Sequence, residues 1–540
     1  MTSKSKRLRF YPFAYALFNE ELSNYCWYCL NQVEIKRRCL GCQFALFCGK
    51  TCQNLGWKDH KAECKGLQKS ISVPDIETRM LGRIVLRYKE ICSGKDKNTQ
   101  DFYKDRTSRR NILEVWSHTD KILTDTYAMN KFEGIYKSLV QFYERKFLLP
   151  KEVVFELHCR NYINRHAISD KSYMKEIGKG LYLDLCAYDH SCRPNSFYTC
   201  EGFVATLRGL DSNVDIEDRT TTFYTYIALM NSLQQRKKQL RDTWYFDCLC
   251  ERCTDPADNL LTSVLCPNCP PNCQQSVNIF EERSSKISKS KSFTCSRCRL
   301  DLSEKYIMEA MNAMRFINKI IEDKELEQMP KRTRVEFLED LLERFSKILS
   351  DTNIYLCEVI QNLILFVPSD NNEEMLRLHL KAESCVRLCF PQNHPALALH
   401  LRNIGIFLNN LGRHQESVKY LREAYEMMEF SLDSDHMMTM ECWSVLKQAL
   451  DNIDQPSEDA VQVSVPSTDT LELTDGSAEA RAVIDSESTM GIPKEDENVI
   501  VMEPPVEVKP SKEYSSIKKL SNKFTDLFLD DISDLPELNF

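Results

Sequence analysis

Apolar residues recur at helical spacing in two early stretches, residues 81–88 and 132–147. This predicts amphipathic helices across 71–160, the second of them ended by Pro150. Between 155 and 250 the pattern changes. Short apolar runs at 180–183 and 202–207 alternate with turn residues, which predicts short strands joined by loops. The aromatic patch at 11–18 predicts one more strand near the N-terminus. From 302 to 450 the spacing is helical throughout. No run of about 18 apolar residues occurs, so no membrane span is expected.

Within the last helical stretch, residues 394–428 resemble one tetratricopeptide-like hairpin. Its turn is Asn410-Leu-Gly-Arg-His414, and Leu421 and Ala424 face a partner helix. A plain helical bundle fits the same spacing. Residues 452–510 are rich in Ser, Asp, Glu, Pro and Val without periodicity, which predicts disorder. Residues 514–540 alternate acidic and apolar groups. They fit either a solvated tail or an amphipathic segment that orders on a partner.

Charge sharpens that division. The net charge is −8, but residues 451–540 alone hold 21 acidic and 7 basic side chains, a balance of −14. Residues 1–450 therefore carry about +6. A mildly basic body is compatible with nucleic acid or histone-associated surfaces. There is no long basic run and no spacing of a base-reading finger, so direct DNA binding is not expected.

The chain has 24 cysteines, spaced in metal-ligand pairs and not preceded by a secretory h-region. Zinc in a reducing, intracellular compartment is the expectation. Residues 26–64 carry Cys26-x2-Cys29, Cys39-x2-Cys42, Cys48-x3-Cys52 and His60-x3-Cys64. Structural zinc takes four S or N ligands, so eight ligands make two closed sites. Interleaving predicts Cys26, Cys29, Cys48 and Cys52 on one ion, and Cys39, Cys42, His60 and Cys64 on the other. Further on, Cys266-x2-Cys269 and Cys295-x2-Cys298 have the spacing of a zinc ribbon, with Cys273 spare.

The first block, including Gly56-Trp57-Lys-Asp-His60, resembles a MYND zinc finger, a module for binding other proteins. Downstream come Gly178-Lys-Gly-Leu-Tyr182, Asp189-His-Ser-Cys-Arg-Pro-Asn195, Thr222-Phe-Tyr-Thr-Tyr226 and Trp244-Tyr-Phe-Asp-Cys248-Leu-Cys250-Glu-Arg-Cys253. Their order and spacing resemble the SET and MYND domain (SMYD) family of protein-lysine methyltransferases over about residues 9–255, and weakly to 450. The resemblance implies an α+β fold. Small SET-type β-sheets are split by the MYND finger and followed by an all-α, tetratricopeptide-like C-terminal domain and a disordered acidic tail. The implied boundaries are an N-terminal SET remnant (1–25), finger (26–64), helical insert (65–155), core SET (156–240), post-SET and cysteine-rich region (241–300), helical domain (301–450) and tail (451–540).

The resemblance also implies function. The chain is expected to be an S-adenosylmethionine-dependent protein-lysine methyltransferase and chromatin regulator, cytoplasmic and nuclear, acting on histone or other lysines. Protein partners are expected at the finger and the helical domain. Tyr226 matches the catalytic tyrosine. His118, Asn164, Asp189, His190, Trp244 and Phe246 match positions near the methyl donor. Cys192, Cys248, Cys250 and Cys253 match a third zinc site, and the ribbon would add a fourth.

Three departures point to the rival expectation, an adaptor whose SET scaffold has weak or no catalysis. The family's Gly-x-Gly loop is absent, the first glycine being Gly41, which implies a truncated N-terminus or an altered site. Asp189 replaces the usual asparagine. Glu217-Asp-Arg-Thr-Thr replaces a Gly-Glu-Glu element.

Overall fold

A computed structural model describes residues 5–94, 110–172, 175–270, 275–279 and 293–454. The aromatic N-terminal patch forms two short strands, Arg7–Phe10 and Ala14–Leu17. Pro12 between them has no amide hydrogen to give a ladder, and the two strands join different sheets. Arg7–Phe10 pairs antiparallel with Val204–Gly209, which pairs in turn with Ser196–Glu201. Ala14–Leu17 pairs antiparallel with Glu176–Leu181, whose other edge holds Arg165–Ser169. Glycine is required in that central strand, because a Cβ on Gly178 would run into the Ala16 carbonyl.

The hairpin of Ser196–Glu201 and Val204–Gly209 turns at Gly202, whose φ is +59°. A Cβ there would collide with the Cys29 carbonyl, so bare backbone is what lets the finger dock on the sheet. A third pairing joins two very short parallel strands, Asp189–His190 and Phe223–Tyr224.

The helix Ile76–Cys92, capped by Asp75, packs on the Ala14–Leu17 strand. Two arginines on it are almost fully buried. Arg79 donates to the Leu17 carbonyl and to Asn19 Oδ1, both at 2.7 Å. Arg83 donates to both carboxylate oxygens of Glu63, at 2.6 and 2.9 Å, and to the Tyr15 carbonyl. Glu63 belongs to the finger helix Lys50–Leu67. One buried ion pair therefore ties finger, helix and sheet together, and removing one partner would strand a charge in the interior.

Three helices differ from the sequence expectation. The expected 132–147 helix runs Thr126–Phe142, and Pro150 does not end it but begins the next helix, Lys151–Asn164. Proline suits that position because the first amides of a helix have no intrahelical partner. The helix continues past 155, where strands were expected. Buried polar residues His158 and Asn161 lie among Val154, Leu157 and Ile163 and blur its apolar spacing. Leu233–Trp244 is also helical. Only Arg236 and Leu240 of it are buried, so it shows no apolar stripe. Its sign is the capping box of Ser232 and Gln235.

From residue 304 on, the described residues form seven α-helices: Glu304–Glu322, Lys331–Phe345, Ile354–Ile364, Asn372–Cys389, Pro395–Asn410, His414–Leu432 and Met437–Asp454. The expected hairpin is present. It turns at Gly412, φ +74°, and Gly405 makes room for Leu421. This helical part is pinned to the sheets by polar contacts. Arg252 Nη1 donates to the Cys389 carbonyl at 3.2 Å, and Asp433 accepts from Arg7 and Arg208 at 2.9 and 2.8 Å.

The architecture is α+β, with small sheets, a zinc-finger module and a helical C-terminal region. No helix among the described residues is long and apolar enough to cross a membrane. The helix Met437–Asp454 takes in the first residues of the expected disordered tail, and the rest of the tail, with its amphipathic segment, lies outside the described residues, as do Cys273 and the loop 281–292.

Candidate active site and metal centres

Among the described residues, four groups bring four ligand atoms within 4.8 Å of one another. They are Cys26, Cys29, Cys48 and Cys52; Cys39, Cys42, His60 and Cys64; Cys192, Cys248, Cys250 and Cys253; and Cys266, Cys269, Cys295 and Cys298. The interleaving of the finger is the one expected from its spacing. Three of the Cys-x2-Cys turns share one backbone form. The residue after the second cysteine (Leu30, Gln43, Arg299) has φ near +60°, and its amide donates to the carbonyl of the first cysteine. The ribbon thus repeats the knuckle geometry of the finger.

The distances fit a tetrahedral ion and not a disulfide. Four thiolates about 2.3 Å from zinc sit about 3.8 Å apart, whereas a disulfide spans about 2.05 Å. The Sγ–Sγ distances are 3.5 Å for Cys29 and Cys48, 3.8 Å for Cys39 and Cys64, 3.5 Å for Cys192 and Cys253, and 3.6 Å for Cys266 and Cys298. His60 Nε2 lies 3.5 Å from Cys42 Sγ, while its Nδ1 faces Glu63 at 3.8 Å. That carboxylate faces the ring from behind, on the side where outer partners of metal histidines sit. Each group supplies four protein ligands, so these are closed, structural sites.

Four thiolates around a divalent ion carry excess negative charge. At the third group fully buried Arg236 offsets it, with Nη2 3.9 Å from Cys253 Sγ. Asp258 holds Arg236 at 2.6 Å and Arg252 at 2.8 Å. Arg252 also donates to the carbonyls of Cys192, Leu229 and Cys389. This charged core staples the segment after Trp244 to the His190 loop.

Next to that staple lies a cavity of ≈ 1020 Å³. His118, Asn164, Asp189, His190, Tyr226, Trp244 and Phe246 all border it, brought from five separate stretches of chain. Its size is at the top of the usual range for small-molecule sites.

The parallel pairing of Asp189–His190 with Phe223–Tyr224 sets the centre. Asn195 holds the crossing open on both sides. Its Oδ1 accepts from the Phe223 amide and its Nδ2 donates to the Thr221 carbonyl, both at 2.8 Å. His190 Nδ1 accepts from the Tyr226 amide at 3.0 Å, which leaves the proton on Nε2, 3.2 Å from Cys192 Sγ. Tyr226 donates its hydroxyl hydrogen to the Tyr188 carbonyl at 2.7 Å. Burial, with Asp189 nearby, raises this phenol above its ordinary value. It therefore stays protonated, its hydrogen committed to the Tyr188 carbonyl.

The remaining residues frame this centre. Trp244 donates Nε1 to the Ile163 carbonyl at 2.9 Å, and its ring centroid lies 5.7 Å from that of Tyr226. Phe246 meets the edge of His190 at 6.2 Å. Asn164 Nδ2 donates to the carbonyls of Trp116 and Arg160 at 2.7 and 2.8 Å, so one donor holds the Trp116 loop and the other bonds its own helix. His118, at φ +47°, stacks beside Trp116 at 6.1 Å. Asp189 is exposed at the cavity.

His166, Tyr224, Arg219 and His394 border the same cavity, although no sequence pattern singles them out as site residues. His394 sits 168 residues beyond Tyr226, on the N-cap of the helix Pro395–Asn410. No local pattern relates it to the site. His166 was within reach, two residues past Asn164.

Comparison with known proteins follows this geometry. Residues 26–64 match the MYND finger family model. The chain is 24% identical over 452 residues to "Histone-lysine N-methyltransferase SMYD3" of Homo sapiens, covering 82% of this chain and 91% of that protein. It is 27% identical over 248 residues to "N-lysine methyltransferase SMYD2" of Homo sapiens, covering 45% and 53%. A similar match, 27% over 252 residues, is to "N-lysine methyltransferase SMYD2-A" of Danio rerio. With a MYND finger set between the strands of a small-sheet core, the chain is similar over most of its length to lysine methyltransferases of the SET and MYND domain (SMYD) family.

Proposed function

We propose that this protein is an S-adenosylmethionine-dependent protein-lysine N-methyltransferase, acting on histone or other protein lysines. The observation that carries the reading is the Tyr226 phenol, protonated and aimed by the Tyr188 carbonyl at the edge of the cavity. The residues present suit the methyl donor. Aromatic Trp244 and Phe246 offer faces for a purine, and exposed Asp189 offers a carboxylate to a sulfonium cation. When bound, that donor would supply an electrophilic methyl group.

The protein's own work is positioning and desolvation. A lysine entering among Tyr224, Tyr226 and Trp244 leaves water, which disfavours its charged form and yields the neutral nucleophile. The Tyr226 oxygen accepts from the amine and holds its lone pair in line with the transferred group. Four structural zinc ions per chain would hold the finger, the post-SET segment and the ribbon.

The adaptor reading has one observation in its favour. Arg219, from the segment replacing Gly-Glu-Glu, also borders the cavity, and a second cation there opposes a cationic donor. The two readings differ in one assay. Zinc-loaded full-length protein is incubated with tritium-labelled S-adenosylmethionine and mixed core histones plus a protein lysate, and the products are hydrolysed. Label in Nε-methyl-lysine is expected. Label no higher than in a heat-killed control would leave the adaptor reading in its place.

A further inference from the structure

The chain leaves the helix Leu233–Trp244 at Tyr245, whose φ is +60°. Trp244 and Phe246, on either side, border the cavity, and Tyr245 between them does not. Helices commonly end in this left-handed conformation, and glycine is the usual residue there because a Cβ is penalised. A tyrosine persists at such a position only where its surroundings over-determine it.

Those surroundings come from the helical insert. The Tyr245 hydroxyl donates to Asp125 Oδ2 at 3.0 Å, and Lys121 Nζ donates to the Tyr245 carbonyl at 2.9 Å. The ring meets His118 edge to face, 6.0 Å between centroids. Burial, and then the Asp125 carboxylate, raise the phenol above its ordinary value, so it remains a donor. Asp125 serves two elements at once, since its Oδ1 accepts from the Ala128 amide and caps the helix Thr126–Phe142. His118 is itself left-handed, at φ +47°, and stands at the N-terminus of the helix Thr119–Thr124. Two residues in sparsely populated backbone conformations thus meet ring to ring at the cavity's edge. A second tie spans the turn, from Arg241 to Asp247 at 2.6 Å. Its side chains are 62% and 61% exposed, and a pair so open to solvent contributes little.

We propose that Tyr245 is a positioning residue, which fastens the turn between Trp244 and Phe246 to the helical insert through Asp125 and so shapes the donor side of the cavity. This rests on the methyl-transfer reading for the identity of the donor, though not for the fastening itself. Without the bond to Asp125, Tyr245 keeps its Cβ penalty and loses what offsets it. The turn then relaxes and carries the two flanking rings with it.

The test uses full-length, zinc-loaded protein and three variants. Tyr245→Phe deletes the bond to Asp125 and keeps the ring. Tyr245→Gly deletes the ring and suits the left-handed turn. Asp125→Asn keeps an oxygen for the helix cap and an amide N–H for the Tyr245 hydroxyl. Hydrogen–deuterium exchange of residues 244–247 is followed by mass spectrometry in the free protein. Affinity for S-adenosylhomocysteine, the demethylated form of the donor, is measured by calorimetry. Tyr245→Phe and Tyr245→Gly are expected to speed exchange at 244–247 by roughly tenfold, the worth of about one hydrogen bond to a charged partner, and to leave exchange in the finger unchanged. Both should bind S-adenosylhomocysteine roughly tenfold more weakly, while turnover at saturating donor stays within about twofold of wild type. Asp125→Asn should retain most of the wild-type affinity. Unchanged exchange or unchanged affinity in Tyr245→Phe overturns the assignment. Full affinity in Tyr245→Gly does the same, because the turn alone would then suffice. If Tyr245→Gly does not fold, Tyr245→Phe and Asp125→Asn still decide. A wild-type chain that binds no S-adenosylhomocysteine would sink the donor reading, and the exchange of Tyr245→Phe would then decide the fastening alone.

Discussion

Tyr226→Phe is expected to lower the rate of methyl transfer by on the order of 10²–10³-fold, the usual cost of deleting one preorganised polar group at a reacting centre. The substitution removes a single oxygen. That oxygen donates to the Tyr188 carbonyl at 2.7 Å in the resting site, and the ring packs against His190, Tyr224 and Trp244. The fold and the donor pocket should therefore survive, and the loss should fall on turnover and not on donor affinity. Single-turnover rates with saturating donor, alongside the donor dissociation constant, separate the two. A variant whose rate stays within about twofold of wild type would remove Tyr226 from the chemistry. A variant that loses donor binding in parallel would make it a wall residue instead.

Removing the metal has a larger expected effect on stability, and an uneven one. Structural zinc contributes an apparent ~10–16 kcal/mol in finger-sized peptides, more than the whole margin of a typical domain. The finger has little core of its own, and its buried Glu63–Arg83 pair reaches across to the Tyr15 strand. A strong chelator should thus release about four zinc ions per chain and collapse near-ultraviolet ellipticity in the same step. The individual sites differ in what they hold. Cys253→Ser weakens the staple that keeps Trp244 and Phe246 against Tyr226 and His190, so activity should vanish first. Cys298→Ser loosens the ribbon, whose strand Val264–Leu265 is bonded to the Ile348 carbonyl at 2.8 Å. That variant should lose thermal stability and keep turnover. Four ions in the wild-type chain and this split between variants are the expected results. One ion or none, or equal effects of the two variants on turnover, would contradict the assignment.

The parts of this protein legible in its sequence are those fixed over short distances. Each Cys-x2-Cys pair closes its own turn, and four-coordinate geometry then limits how pairs combine, so the two finger sites and the ribbon followed from spacing alone. The hairpin at Gly412 was legible for the same reason. Helices with an apolar stripe were found, whereas the end of Lys151–Asn164 past residue 160 and the whole of Leu233–Trp244 fell in a stretch read as strands and loops, because buried Asn161 and Arg236 interrupt the stripe. The cavity was read through family resemblance, not through periodicity. Tyr224 and His166 look like ordinary half-buried strand residues until two sheets bring them within 2.7 Å. Arg252 shows the limit most plainly. Its donation to the Cys389 carbonyl spans 137 residues, and no local pattern encodes such a contact.

The central claim is that metal-held loops shape this cavity for a sulfonium donor. Calorimetric titration of zinc-loaded, full-length protein with S-adenosylmethionine tests it most directly. The account predicts saturable heat at about one equivalent per chain and a rise in melting temperature, both lost in Trp244→Ala. No heat and no thermal shift at millimolar donor would contradict it.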